Sequence, residues 1–103
     1  MIKNGMRPVH PGEVLHEDYL KPIGLSANAL ARKLHVPTSR IRGIVLGRRR
    51  ISVDTALRLT RFFGGDARSW LNMQSVYDLR SAELNQDMQA ALAQVAPLAA
   101  ETV

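Results

Sequence analysis

The chain has 103 residues, 46% of them hydrophobic, and its 14 Lys and Arg against 9 Asp and Glu leave a net charge of +5. That is enough for one domain with a modest core, and the lack of any cysteine excludes disulfides, thiolate metal sites and a cysteine nucleophile. No apolar run approaches the roughly 20 residues of a membrane span, and the opening MIKNGMRPVHPG lacks the apolar centre of a signal peptide, so a cytoplasmic protein is expected.

Residues 1–9 show no periodicity and read as an N-terminal arm, either disordered or reaching across a partner subunit. Pro8 and Pro11 keep the residues between them out of helix. A first helix is expected over residues 11–20, PGEVLHEDYL, where Pro11 and Glu13 suit a first turn through a missing donor and a negative charge. Val14, Leu15 and Tyr19 face inward, and Lys21-Pro22 with Gly24 end this helix. Ser26 caps the next, because its hydroxyl can accept an otherwise unpaired N–H of the first turn. Ala27, Leu30, Ala31 and Leu34 then recur at i, i+3, i+4 and i+7 as one apolar stripe.

Val36-Pro37 break that run, and Pro37 is acceptable only at the start of a following helix. Ile41, Ile44 and Val45 form the next apolar set, stopped by Gly47. Two short helices across a tight corner, with small Ala31 where their backbones cross closely, read as a helix-turn-helix. Ser52 or Asp54 caps a fourth helix with Val53, Ala56, Leu57, Thr60 and Phe63 inward, ended by Gly64-Gly65. Asp66 caps a fifth running to about Tyr77, with Trp70, Leu71, Met73 and Tyr77 as candidate core. Short helices with brief connections make an all-α, compact five-helix bundle. A sixth pattern, Leu84, Met88, Leu92 and Val95, has no room left in that core. It forms a C-terminal amphipathic helix, favoured as a self-association or partner face over a frayed tail. The organisation is therefore an arm at 1–9, a helix-turn-helix domain at 10–80 and a C-terminal helix or tail at 81–103.

Charge is unevenly spread along this framework. Between Lys21 and Arg61 stand ten Lys and Arg against Asp54 alone, while from Asp66 onward two basic residues face five acidic ones. Positive charge concentrated on a helix-turn-helix and its flank implies a polyanionic partner, since Lys and Arg gain affinity by releasing phosphate counterions. Double-stranded DNA is that partner. RNA is less well served, because the aromatic residues are scattered through helices and form no stacking platform.

The residues that would touch DNA fall in two groups. Thr38, Ser39, Arg40 and Arg42 lie off the apolar face of the motif's second helix, where side chains enter the major groove and reach base edges. Thr38 or Ser39 could instead cap that helix; Arg40 faces away from both apolar sets and has no evident structural work. Ser26, Ala27 and Asn28 open the motif's first helix, where free N–H groups and a short amide can hold a phosphate. Arg48, Arg49 and Arg50 would grip the flanking backbone or enter the minor groove.

Four stretches carry a resemblance: HPGEVLHEDYLKPIGLS (10–26), ALARKLHVPTSRIRGIVLGRRRIS (29–52), DTALRLTRFFG (54–64) and SWLNMQSVYDLR (69–80). Together they resemble the HigA family of antitoxins, whose DNA-binding domain is λ-repressor-like and Xre-type. The resemblance implies a homodimeric repressor of its own operon that also neutralises a HigB toxin, a RelE-like ribosome-dependent endoribonuclease. A stand-alone Xre-type repressor without a toxin partner is the alternative. One departure is His35 at the helix-turn-helix corner, where many such units carry Gly; histidine tolerates positive φ at modest cost.

Nothing in the chain reads as an enzyme. His10, His16 and His35 form no i, i+4 pair and no ligand set, so no catalytic residue, metal, cofactor, membrane or small-molecule substrate is expected. A basic toxin would suit the acidic first helix, Glu13, Glu17 and Asp18, or the acidic C-terminal part. Dimerisation could use the fourth and fifth helices or the C-terminal one.

Overall fold

A computed structural model describes residues 7–101, with side chains through residue 99. Most of the expected N-terminal arm therefore lies outside the described residues. Helix α1 spans 11–23 and opens on His10, whose Nδ1 accepts the Gly12 N–H at 2.8 Å. It runs as α-helix over Pro11–Val14, widens into a π-helix over Leu15–Leu20 and returns to α over Lys21–Ile23. Lys21 and Pro22 therefore do not end this helix, as their sequence suggests. In the wide turn the Lys21 N–H reaches the His16 carbonyl five residues back, which gives a proline ring room inside a helical run. Gly24, left-handed at φ 66°, supplies the actual stop.

Helix α2 (Ala27–Leu34) is capped by Ser26, whose Oγ accepts the Ala29 N–H at 3.0 Å. The corner residue His35 is left-handed at φ 59°, as its position in the motif demands. Helix α3 (Thr38–Val45) follows Pro37 directly. Ser52, not Asp54, caps α4 (Val53–Phe63), and Asp66 caps α5 (Ala67–Glu83), which runs six residues beyond Tyr77. Asn85 caps the separate α6 (Gln86–Ala93), and a last helical turn covers Leu98–Glu101.

The core gathers Leu15 and Leu20 from α1, Leu30, Ala31 and Leu34 from α2, and Ile41 and Ile44 from α3. Ala56 and Leu59 of α4 and Trp70 of α5 close it, with Ile51 entering from the loop before α4. Ala31 is fully buried, as a close crossing of α2 and α3 requires. The inward face of α4 differs from expectation. Val53 and Leu57 are 59% and 57% exposed, and Thr55, Ala56 and Leu59 take the inner positions. Apolar residues lie on two sides of this helix, so its periodicity allows two stripes, and packing against α2 and α5 selects one. Leu71, Met73 and Tyr77 are half-buried rather than central. The five-helix unit does not end at a closed surface. The molecule extends 59 × 26 × 23 Å, and along its C-terminal portion Val76, Leu79, Leu84, Met88, Leu92 and Val95 are all exposed.

Candidate nucleic-acid interface

The start of α3 is open. Pro37 occupies the cap position and offers no side-chain acceptor, so the first N–H groups of the helix have no cap. Thr38 and Ser39 do not cap it either, and both are exposed. Their hydroxyls are left for an outside partner. Arg42, one turn on, is exposed and pairs with no described residue.

Arg40 departs from expectation. It has structural work, with a side chain only 29% exposed and Nη1 2.6 Å from Asp54 Oδ1. The same oxygen accepts Arg58 Nε at 2.7 Å, and Arg58 Nη1 donates to the Leu34 carbonyl at 2.7 Å. Asp54 thereby ties α3 to α4 and, through Arg58, to the end of α2. Hydrogen bonds from Arg58 and Arg40 hold its carboxyl below the usual carboxylate range. The Nε and Nη2 groups of Arg40 donate to no described residue, so the guanidinium is braced on one side and open on the other.

At the first helix of the motif, Ser26 and Asn28 are exposed and Ala27 is half-buried. Ser26 Oγ accepts within the cap and keeps its own proton free to donate. Ser26, Ala27 and Asn28 thus share one helix end, while Arg48, Arg49 and Arg50 lie on the separate loop after α3.

The basic loop after α3 is folded back on its own helix. The N–H groups of Arg48 and Arg49 donate to the Gly43 carbonyl at 2.8 and 3.1 Å. The stem of Arg49 crosses Gly43 so closely that a Cβ there would meet Arg49 Cδ at 2.6 Å. Beneath lies the HPG start of α1. A Cβ on Gly12 would fall 1.7 Å from the Ile44 carbonyl oxygen, so only glycine lets α1 press on the α3 backbone. The His10 ring sits edge-on to Tyr77 at 4.8 Å. Burial pushes its pKa down, against the opposing influence of the Arg49 backbone and the Asp78 charge.

The three loop arginines are not equivalent. The side chains of Arg48 and Arg49 are exposed and pair with no described residue, whereas Arg50 Nη1 binds Asp78 Oδ2. Asp78 is in turn held by Gln74, whose Oε1 accepts the Ile51 N–H at 2.8 Å. Arg58, Gln74 and Asp78 have no role legible in the local pattern, where Asp54 reads only as a possible cap and His10 only as a histidine outside any ligand set. The signals available for His10, Gln74 and Asp78 were the HPGE start and the WLNMQSVYDL stretch, which carried the resemblance without a physical role. Among the described residues, no group of three His, Cys, Asp or Glu could hold a metal, and no helix is long and apolar enough to cross a membrane.

A helix-turn-helix family model matches residues 17–70. The chain is 64% identical over 88 residues to virulence-associated protein I of Dichelobacter nodosus, covering 85% of this chain and 80% of that one. Among solved structures it is similar to the Pseudomonas aeruginosa antitoxin HigA with higBA promoter, at 40% identity and a TM-score of 0.81 over 89% of this chain and 99% of that one. It is also similar to antitoxin GraA in complex with its operator, at 44% identity and a TM-score of 0.82 over 95% and 98% of the two chains.

Proposed function

This chain belongs to the Xre-like helix-turn-helix family and stands with its HigA-type antitoxins, and on that premise we propose that it binds its own operator as a dimer and neutralises a HigB-like toxin, a RelE-type mRNA endoribonuclease, by direct association. The observation that carries the DNA half is the uncapped start of α3. Thr38, Ser39 and Arg42 stand exposed on that helix and Arg48 and Arg49 on the loop that follows it, none with a side-chain partner among the described residues. A soluble surface has no internal use for such a set, and a major groove accommodates a helix presenting it.

In this reading Thr38, Ser39, Arg40 and Arg42 meet base edges. Arg40 offers its open Nε and Nη2 edge to a guanine, with Asp54 bracing the other side. Ser26, Ala27, Asn28, Arg48 and Arg49 hold phosphates, which position the protein without reading sequence. Arg50 is left out of the grip, because Asp78 occupies it. A dimer on a two-fold site would place two α3 helices about 34 Å, one helical turn, or a multiple apart.

The toxin half draws support from the exposed apolar run of α5 and α6 more than from the acid on α1. Glu13 pairs with Arg7, and Glu17 with Lys21 and His16, so that helix is largely neutralised internally. Co-expression with the small reading frame beside its gene, tagging one chain only, tests this. A stable complex that relieves growth arrest is expected. Failure to associate, with promoter binding retained, would leave a stand-alone repressor.

A further inference from the structure

Residues 48–50 are three successive arginines on one short loop, yet among the described residues only Arg50 has a carboxylate partner. That partner is firmly placed. Gln74 is 2% exposed, and both ends of its amide are used, Oε1 on the Ile51 N–H at 2.8 Å and Nε2 on Asp78 Oδ1 at 3.0 Å. The loop backbone and the Asp78 carboxylate are therefore held by one buried side chain, with Oδ2 turned to Arg50. Burial disfavours the charged Asp78, but the hydrogen bonds from Arg50 and Gln74 outweigh it and keep the carboxyl below its usual range.

We propose that Asp78 is a positioning residue that withholds Arg50 from DNA and so sets the strength and salt dependence of binding, the loop gripping the phosphates with Arg48 and Arg49 alone. This rests on the DNA-binding reading above. Phosphate contacts are blind to sequence, so each added one strengthens binding to random DNA as much as to the operator. Removing one arginine from the grip therefore lowers the affinity and its salt dependence on every duplex alike and leaves base readout untouched. Moving Arg50 to a phosphate would also leave the Asp78 charge unpaired beside that phosphate. Gln74 keeps the carboxylate from turning away to avoid it.

The test uses the full chain, its own promoter duplex and a scrambled duplex of equal length, titrated at several salt concentrations. Asp78→Asn should bind the scrambled duplex more tightly, with the slope of log K against log salt steeper by about 0.9, one phosphate. Its preference for the promoter should stay as it was, because both duplexes gain alike, and adding Arg50→Ala should restore the original slope. In the otherwise unaltered chain, Arg50→Ala should leave the slope unchanged while Arg49→Ala flattens it by about 0.9. A purely structural pair predicts a lower Tm for Asp78→Asn and no steepening. An unchanged slope in Asp78→Asn, or an Arg50→Ala that flattens as much as Arg49→Ala, overturns the proposal. The second comparison stands even if Asp78→Asn folds poorly. If neither Arg48→Ala nor Arg49→Ala moves the slope, the DNA-facing assignment of this loop is what fails.

Discussion

The two ends of this molecule leave different things in water. Along α3 Ile41 and Ile44 are completely buried and Val45 partly, Leu46 at its end is exposed, and the other exposed side chains are hydroxyl and guanidinium. Along the end of α5 and α6 the reverse holds, with Leu79 60%, Leu84 58% and Leu92 52% exposed. Unpaired charge is well solvated and costs the free protein little, so the first end can wait for a polyanion. Exposed hydrocarbon gains only when another surface covers it, at roughly 25 cal/mol per Å², so the second end suits a protein partner. One short chain thus leaves a polar, charged face at one end and an apolar face at the other.

Core deletion should separate the ends most sharply. Ile44→Ala removes a fully buried side chain from the inner face of α3 and is expected to cost about 2–5 kcal/mol. Leu92→Ala, on the exposed face, should change the isolated chain by about 0.5 kcal/mol or less and act only on association. Urea unfolding and analytical ultracentrifugation of both variants would measure this. A large loss from Leu92→Ala at low concentration would mean that α6 belongs to the core.

The next contrast lies within the DNA end. Arg40→Ala should lose about 1–3 kcal/mol of discrimination between operator and random DNA, since it removes both the reader and its brace on Asp54. Arg49→Ala should weaken both duplexes alike. Equal losses on both DNAs for Arg40→Ala would reduce Arg40 to a structural strut.

The smallest effect expected is a pH dependence at the joint between the two ends. His10 is held neutral by burial while its Nδ1 accepts the Gly12 N–H. Its folded pKa lies below the ordinary value of about 6.5, so on acidification the unfolded chain takes the proton first. Stability is therefore full above pH 6.5 and declines as pH falls below it. The lowered carboxyls of Asp54, Asp78 and Glu17 act only at more acid pH, as they approach protonation. Thermal unfolding between pH 5 and 8 would show the slope, and His10→Asn should abolish it. A wild-type chain with no slope in that range would remove His10 from this role.

Much of the architecture could be read along the chain. The Ser26 and Asp66 caps, the left-handed His35, the Gly47 and Gly64 stops and the helix-turn-helix stripe all depend on neighbours within about one helical turn. Two readings failed for the same reason. On α4, Val53 and Leu57 looked as suitable for burial as Leu59, and a single helix carries nothing to rank them. The π turn that carries α1 past Pro22 likewise has no signature in residue spacing.

What the sequence by itself determined is where helices start and stop, which pair forms the motif and where positive charge gathers, because caps, turns and periodicity are short-range physics. Which of those charges stay free was decided only by the tertiary structure. Arg40 meets Asp54 across 14 residues, Ile51 meets Gln74 across 23 and Arg50 meets Asp78 across 28. No local pattern distinguishes Arg50 from Arg48 or Arg49; only the approach of α5 brings a carboxylate to one and leaves the others without a side-chain partner among the described residues.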